Sequence, residues 1–225
     1  MSEFISKACY YLAVALFYKS FFALLYLVAD PFSDDPELIP LTRTQVLIAM
    51  GVTALLLLLV SKLWVNFGSG LMLPIAWSSE DALIGVGLGF GITLASSVIY
   101  ALWSEYRQSA DYYLQLVLKP LVFPDIIWLG LLPGLSEELL FRGVMLPTFG
   151  LDAAGILFSS LCFGMLHLSS FKQWSYVVWA TAIGGVLGVS ALLTDNLLVP
   201  ILAHITTNFI SGCVWKWRGL KDNIS

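Results

Sequence analysis

Long apolar runs separated by short polar stretches fill this chain from end to end. Crossing the hydrocarbon layer takes about 20 predominantly apolar residues in a helix, and the runs predict about seven such spans, roughly 8–29, 45–67, 82–103, 121–147, 153–169, 175–194 and 197–215. The first is interrupted by Lys19 and has no small-residue cleavage site after it, so an uncleaved helix is expected rather than a signal peptide. Residues 30–44 hold Asp30, Asp34, Asp35 and Glu37 with three prolines and are expected outside the bilayer. Residues 104–120 mix Glu105, Arg107, Asp111 and Lys119 with Tyr106, Tyr112 and Tyr113, the composition of an interfacial helix or loop. Lys216, Arg218 and Lys221 stand beside Trp215 and Trp217. Positive-inside reasoning places that tail in the cytoplasm, and an odd number of spans then places the N-terminus on the other side.

Composition agrees with lipid as the solvent. Of 225 residues, 59% are apolar and 12% charged, whereas soluble domains carry about 25% charged residues. The expected fold is all-α, a polytopic transmembrane helical bundle forming one multi-pass membrane domain, with the cell membrane as its expected location. A net charge of -4 without a basic stripe argues against nucleic acid as a partner. Cys9, Cys162 and Cys213 lie far apart in apolar runs, with neither disulfide nor zinc-ribbon spacing, and are read as packing residues. Gly85, Gly87, Gly89 and Gly91 form two overlapping GxxxG pairs, and Gly184 with Gly188 forms another. Close helix packing explains them, because no strand or phosphate-binding context accompanies them. Asp125 and Asp195 are read as helix-end residues, and Lys19 as snorkelling or paired.

Ionisable groups at membrane depth are costly, so each needs a reason. One apolar run contains Glu137, Glu138 and Arg142. Glu138 and Arg142 are four apart and share a helix face. Glu137 is turned about 100° from Glu138, into different space. Pro133-Gly134 is expected to kink or interrupt this helix, with Ser136 capping its restart. The only two histidines, His167 and His204, fall in later apolar runs, and Asn208 lies one turn after His204. The plain reading is a structural ion pair, two satisfied core histidines and an interhelical hydrogen bond. The chemical reading is amide hydrolysis. A desolvated carboxylate serves as general base, His167 holds the same water, and His204 with Asn208 faces the oxyanion. Glu137, His167 and His204 are equally a candidate ligand set for a divalent metal such as zinc. The residues leave the metal-bound and metal-free versions open. No HExxH is present, and no GxSxG has an evident acid–histidine partner set.

Three motifs stand in order: Glu137-Glu138-x-x-x-Arg142, Phe163-x-x-x-His167 and His204-x-x-x-Asn208. With them, and with Phe141-Arg142-Gly143, the chain resembles the CAAX prenyl protease and bacteriocin-processing family of intramembrane proteases. The resemblance covers roughly residues 120–215, while residues 1–119 match only as generic membrane helices. It divides one membrane domain into N-terminal helices with an interfacial segment (1–119), a CAAX-protease-like core (120–215) and a basic tail (216–225). It implies an all-helical fold with a water-filled polar cavity. It implies that Glu137 and His167 activate water, that His204 and Asn208 stabilise the oxyanion, and that Glu138, Arg142 and Phe163 support them. The expected partners are the lipid bilayer and a membrane-associated peptide or protein substrate, prenylated or not. Zinc or another divalent metal, and a metal-free glutamate mechanism, are both compatible with the family. The alternatives are a non-catalytic membrane interaction, immunity or scaffold protein, and a transporter with a proton relay. The lack of an evident inverted repeat counts against the transporter.

Overall fold

The computed structural model describes residues 41–68, 70–168 and 171–222. The expected span 8–29, the acidic loop through residue 40, Lys19 and Cys9 lie outside the described residues. The described chain is helical throughout, with α1 (Arg43–Phe67), α2 (Ser79–Leu102), α3 (Ser104–Leu118), α4 (Ile126–Glu138), α5 (Ala153–Met165), α6 (Trp174–Thr194) and α7 (Leu198–Asp222). A π-helical segment, Leu139–Met145, and one further α turn, Leu146–Phe149, prolong α4. Local chemistry sets the starts. Thr42 and Gln45 form a capping box at α1, with Thr42 N donating to Gln45 Oε1 at 2.8 Å. Ser78 caps α2, and Asp152 Oδ1 accepts from Ala154 N and Gly155 N at the start of α5.

This is an all-α polytopic bundle of an integral membrane protein. Four described helices are long and apolar enough to cross a membrane, five if α3 and the segment from Phe123 to Phe149, bent by 108°, count as one broken span. The run read as a span at 153–169 contains only the 13 residues of α5 as α-helix. At 1.5 Å per residue it reaches about 20 Å, short of a hydrocarbon layer about 30 Å thick.

Pro133 does not break α4. The helix runs through it to Glu138. Ser136 caps nothing and donates its hydroxyl to Leu132 O at 2.7 Å. The irregularity falls later, in the π segment. The Gly143 carbonyl there accepts from Leu73 N at 3.0 Å, on the irregular stretch leading into α2.

Glycines let the helices meet. A Cβ on Gly85 would lie 2.8 Å from Val199 O, and one on Gly89 would lie 2.6 Å from Thr206 Cβ. Gly87 and Gly91 meet nothing within 4 Å, so only one of the two overlapping GxxxG pairs packs. The other side of α7 rests on Gly130 and Gly134 of α4, where added Cβ atoms would meet Ile205 at 3.0 and 2.5 Å. Gly89→Ala is therefore expected to cost about 1–3 kcal/mol by forcing α2 from α7. Gly87→Ala is expected to be neutral or stabilising. Thermal unfolding in detergent compares the two, and equal melting shifts would refute this packing.

Two other expectations resolve here. Asp125 stands at a helix end, immediately before α4, and is also a strut, because Arg43 Nε and Nη2 each reach its carboxylate at 2.8 Å. Asp195 closes α6 in the left-handed region, with φ 47°. Beyond it, buried Asn196 donates to Ala76 O and Asp81 Oδ2, both at 2.8 Å. Cys162 and Cys213 are free thiols.

Candidate active site

The site begins with a missing N–H. Pro133 cannot donate to Leu129 O, four residues back, so that carbonyl loses its helical partner. Asn208 on α7 places its Nδ2 3.5 Å away, a long contact that points the amide at the gap. Asn208 therefore faces α4, and lines a half-open cavity of about 580 Å³ among the helices.

The next turn of α4 carries the two acids to different places. Glu138 is 0% exposed, and its Oε1 accepts from Arg142 Nη1 and from His204 Nδ1, each at 2.7 Å. Arg142, also 0% exposed, donates from Nη2 to Gly184 O at 3.0 Å. Its guanidinium sits 4.4 Å over the Phe163 ring. One buried network thus joins α4, α5, α6 and α7. Such burial is tolerable because the charges compensate one another and most of their polar atoms are bonded. Three atoms in this region, Glu138 Oε2, Arg142 Nε and Ser160 Oγ, are buried with no hydrogen-bond partner among the described residues.

Phe163 is the hub of the arrangement. Its ring centroid lies 5.0 Å from that of His167 and 5.7 Å from that of His204. Gly184 gives it room: a Cβ there would meet Arg142 Nη2 and Ser160 Cβ at 3.1 Å and Phe163 Cδ1 at 3.2 Å.

His167 follows the end of α5. Its Nδ1 lies 3.0 Å from Phe163 O. A carbonyl only accepts, so Nδ1 carries hydrogen and the lone pair of the neutral ring resides on Nε2. The Tyr113 hydroxyl of α3 donates to the backbone carbonyl of His167 and pins this turn. His204, 7% exposed, is held through Nδ1 by Glu138, leaving its Nε2 as the remaining ring atom for chemistry.

Glu137 belongs to neither network. It is half-buried on the cavity wall, and its Oε2 is buried with no hydrogen-bond partner among the described residues. Glu137, Phe163, His167, His204 and Asn208 all line the same cavity. Glu138 and Arg142 stand behind it. The cavity then follows one face of α7, past Ser211 and Trp215 to Arg218. At 1.5 Å per residue that face extends about 21 Å from His204.

A metal ion here would draw on Glu137, His167 and His204. Both histidines have Nδ1 engaged and Nε2 left over, the way metal-ligating imidazoles are commonly held. Among the described residues, however, no three His, Cys, Asp or Glu groups come together in a way that could hold a metal ion. This arrangement does not fit one.

Sequence reasoning missed four contributors. Gly184 was visible only as a packing glycine, Tyr113 passed as an interfacial aromatic, and Ser160 and Tyr176 gave no signal.

Comparison with known proteins bears on the same segment. Residues 119–210 match the family described as Type II CAAX prenyl endopeptidase Rce1-like. A Bacillus subtilis (strain 168) protein named Uncharacterized protein YpbD is 29% identical over 148 residues, which is 64% of this chain and 76% of that protein. No solved structure matches. The matched residues run from the end of α3 to just past Asn208, so the segment holding every member of the polar cluster is the one that is similar to the Rce1-like family.

Proposed function

We propose that this protein is an intramembrane endopeptidase that hydrolyses a peptide bond in a membrane-associated protein or peptide. The observation that carries the reading is Glu137, a carboxylate with an unbonded buried oxygen on a cavity shared with two anchored imidazoles. The Rce1-like family match, which implies peptidase activity generally, supports it.

Water between Glu137 and His167 is the nucleophile. Glu137 removes a proton from it, while the His167 Nε2 lone pair accepts its other hydrogen. The water oxygen bonds to the carbonyl carbon, and the carbonyl π electrons move onto oxygen. Asn208 Nδ2 donates to that oxyanion. His204 Nε2 also donates when its ring carries both protons. Glu137 then passes its proton to the amide nitrogen, the C–N bond breaks, and an acid and an amine leave. Glu138 and Arg142 hold His204 in place and touch no reacting atom. The apolar cavity walls suit a greasy peptide segment, and a prenyl group is not required.

The reading takes the metal-free form, which the donor arrangement supports. Purified protein in lipid nanodiscs is expected to cut a membrane-associated peptide, with the cut located by mass spectrometry. Cleavage is expected to survive dialysis against a strong chelator. Loss on chelation with recovery on adding zinc would require a metal route instead, and failure to cut any peptide in a broad membrane-peptide library would overturn the assignment. A scaffold role explains the Glu138–Arg142–His204 network, but gives Glu137 no reason to face the cavity with an oxygen left unbonded.

A further inference from the structure

Tyr176 has no part in the mechanism above, yet it stands against the same space. It lies in the first turn of α6 and lines the cavity with Glu137, His167, His204 and Asn208. Its ring centroid is 5.8 Å from that of His167 and 4.6 Å from that of Tyr113. On another side it stacks on Tyr106 at 6.0 Å, with 11° between the ring planes. Rings from α3 and from the end of α5 therefore fix the phenol beside the groups that hold the nucleophile.

Its hydroxyl is the unusual feature. Tyr176 is half-buried, and tyrosines withdrawn from water generally give their O–H a partner. Tyr113, in ring contact with Tyr176, does so by donating to His167 O. Among the described residues, nothing accepts from the Tyr176 hydroxyl. An ungrafted phenol keeps its proton at neutral pH, so this group is a neutral donor, not a base. A rigid neutral donor beside the water-activating pair lacks only an acceptor, and hydrolysis supplies one transiently. The attacked carbon bears two oxygens in the tetrahedral intermediate, one from water and one from the carbonyl, and together they carry the developing charge.

We infer that Tyr176 is a further catalytic residue, whose hydroxyl donates a hydrogen bond to an oxygen of the tetrahedral intermediate. The inference rests on the peptidase reading. The proton stays on the phenol, so the hydrolysis described above keeps its balance of atoms and electrons. The bond strengthens only as charge develops, and it therefore acts on kcat more than on KM.

The test is Tyr176→Phe, which keeps the ring and its contacts with Tyr106, Tyr113 and His167. On the peptide that the wild-type protein cuts fastest, kcat is expected to fall about 100- to 1,000-fold with KM nearly unchanged. The melting temperature in detergent is expected to stay that of the wild type. A second measurement needs no turnover. A copy of that peptide with a statine unit at the cleaved bond presents a tetrahedral hydroxyl, and is expected to bind the wild type more tightly than Tyr176→Phe. The same peptide with a methylated, uncut amide is expected to bind both alike. Unchanged kcat, a loss confined to KM, or equal weakening for both ligands would overturn the inference. If the wild type cuts, Glu137→Gln does not, and Tyr176→Phe matches the wild type, this inference fails while the peptidase reading stands. A wild type inert toward every peptide removes both.

Discussion

Glu137→Gln is expected to lower kcat by about 1,000- to 10,000-fold, the upper part of what a positioned general base contributes. Glutamine has nearly the same shape, so the cavity wall stays closed. Glu137 Oε2 has no hydrogen-bond partner among the described residues, so no hydrogen bond to that oxygen is lost with the charge. What is lost is proton affinity: an amide oxygen does not take a proton from water at neutral pH. The fold is expected to hold or gain stability, because a half-buried carboxylate with one oxygen left unbonded is a cost kept for function. The measurement pairs kcat on a membrane-associated peptide with thermal unfolding of the same preparation. Loss of activity accompanied by a large drop in melting temperature would make Glu137 structural. A stable variant retaining more than about a tenth of wild-type kcat would remove it as the base.

The division of labour between the two adjacent acids was partly legible in the sequence. Helical spacing alone puts Glu138 beside Arg142 and turns Glu137 elsewhere, and the coordinates show that pair at 2.7 Å. The Glu138–His204 bond was not legible in the same way. Those residues are 66 apart, and no period links them; only packing of α4 on α7 does. The Arg43–Asp125 strut, 82 residues apart, was invisible for the same reason. Pro133 misled in a specific manner. Proline removes a helical hydrogen bond, but the α-helix continues through it against α7, and Asn208 turns toward the stranded carbonyl. The same proline drew attention from Gly130 and Gly134, a GxxxG pair flanking it that seats α7. The 153–169 run read as a span because apolar composition continues past Met165, although the α-helix stops there and the chain turns to present His167. Composition marks what lipid tolerates; it does not mark where a helix must end for a side chain to reach a cavity.

Arg142→Met is expected to destabilise the bundle by about 3–5 kcal/mol, the cost of leaving one member of a buried ion pair alone. The guanidinium meets Glu138 Oε1, Gly184 O and the Phe163 face, and no exposed surface relieves its loss. Without it, Glu138 keeps only His204 Nδ1 as a partner among the described residues. Glu138→Gln placed in the Arg142→Met background removes the stranded charge while its amide oxygen still accepts from His204. The double variant is therefore expected to melt well above Arg142→Met, although it lacks one more native residue. Its coupling energy, read from a double-mutant cycle of unfolding in detergent, is expected to exceed about 1 kcal/mol, as for residues in one buried network. Additive losses would mean that the pair is not coupled as the 2.7 Å contact requires. Activity separates the two functions of the network. Restoring stability does not restore the charge that orients His204, so the double variant is expected to fold and still turn over slowly. A double variant with wild-type kcat would show that His204 needs only a hydrogen-bond acceptor behind it.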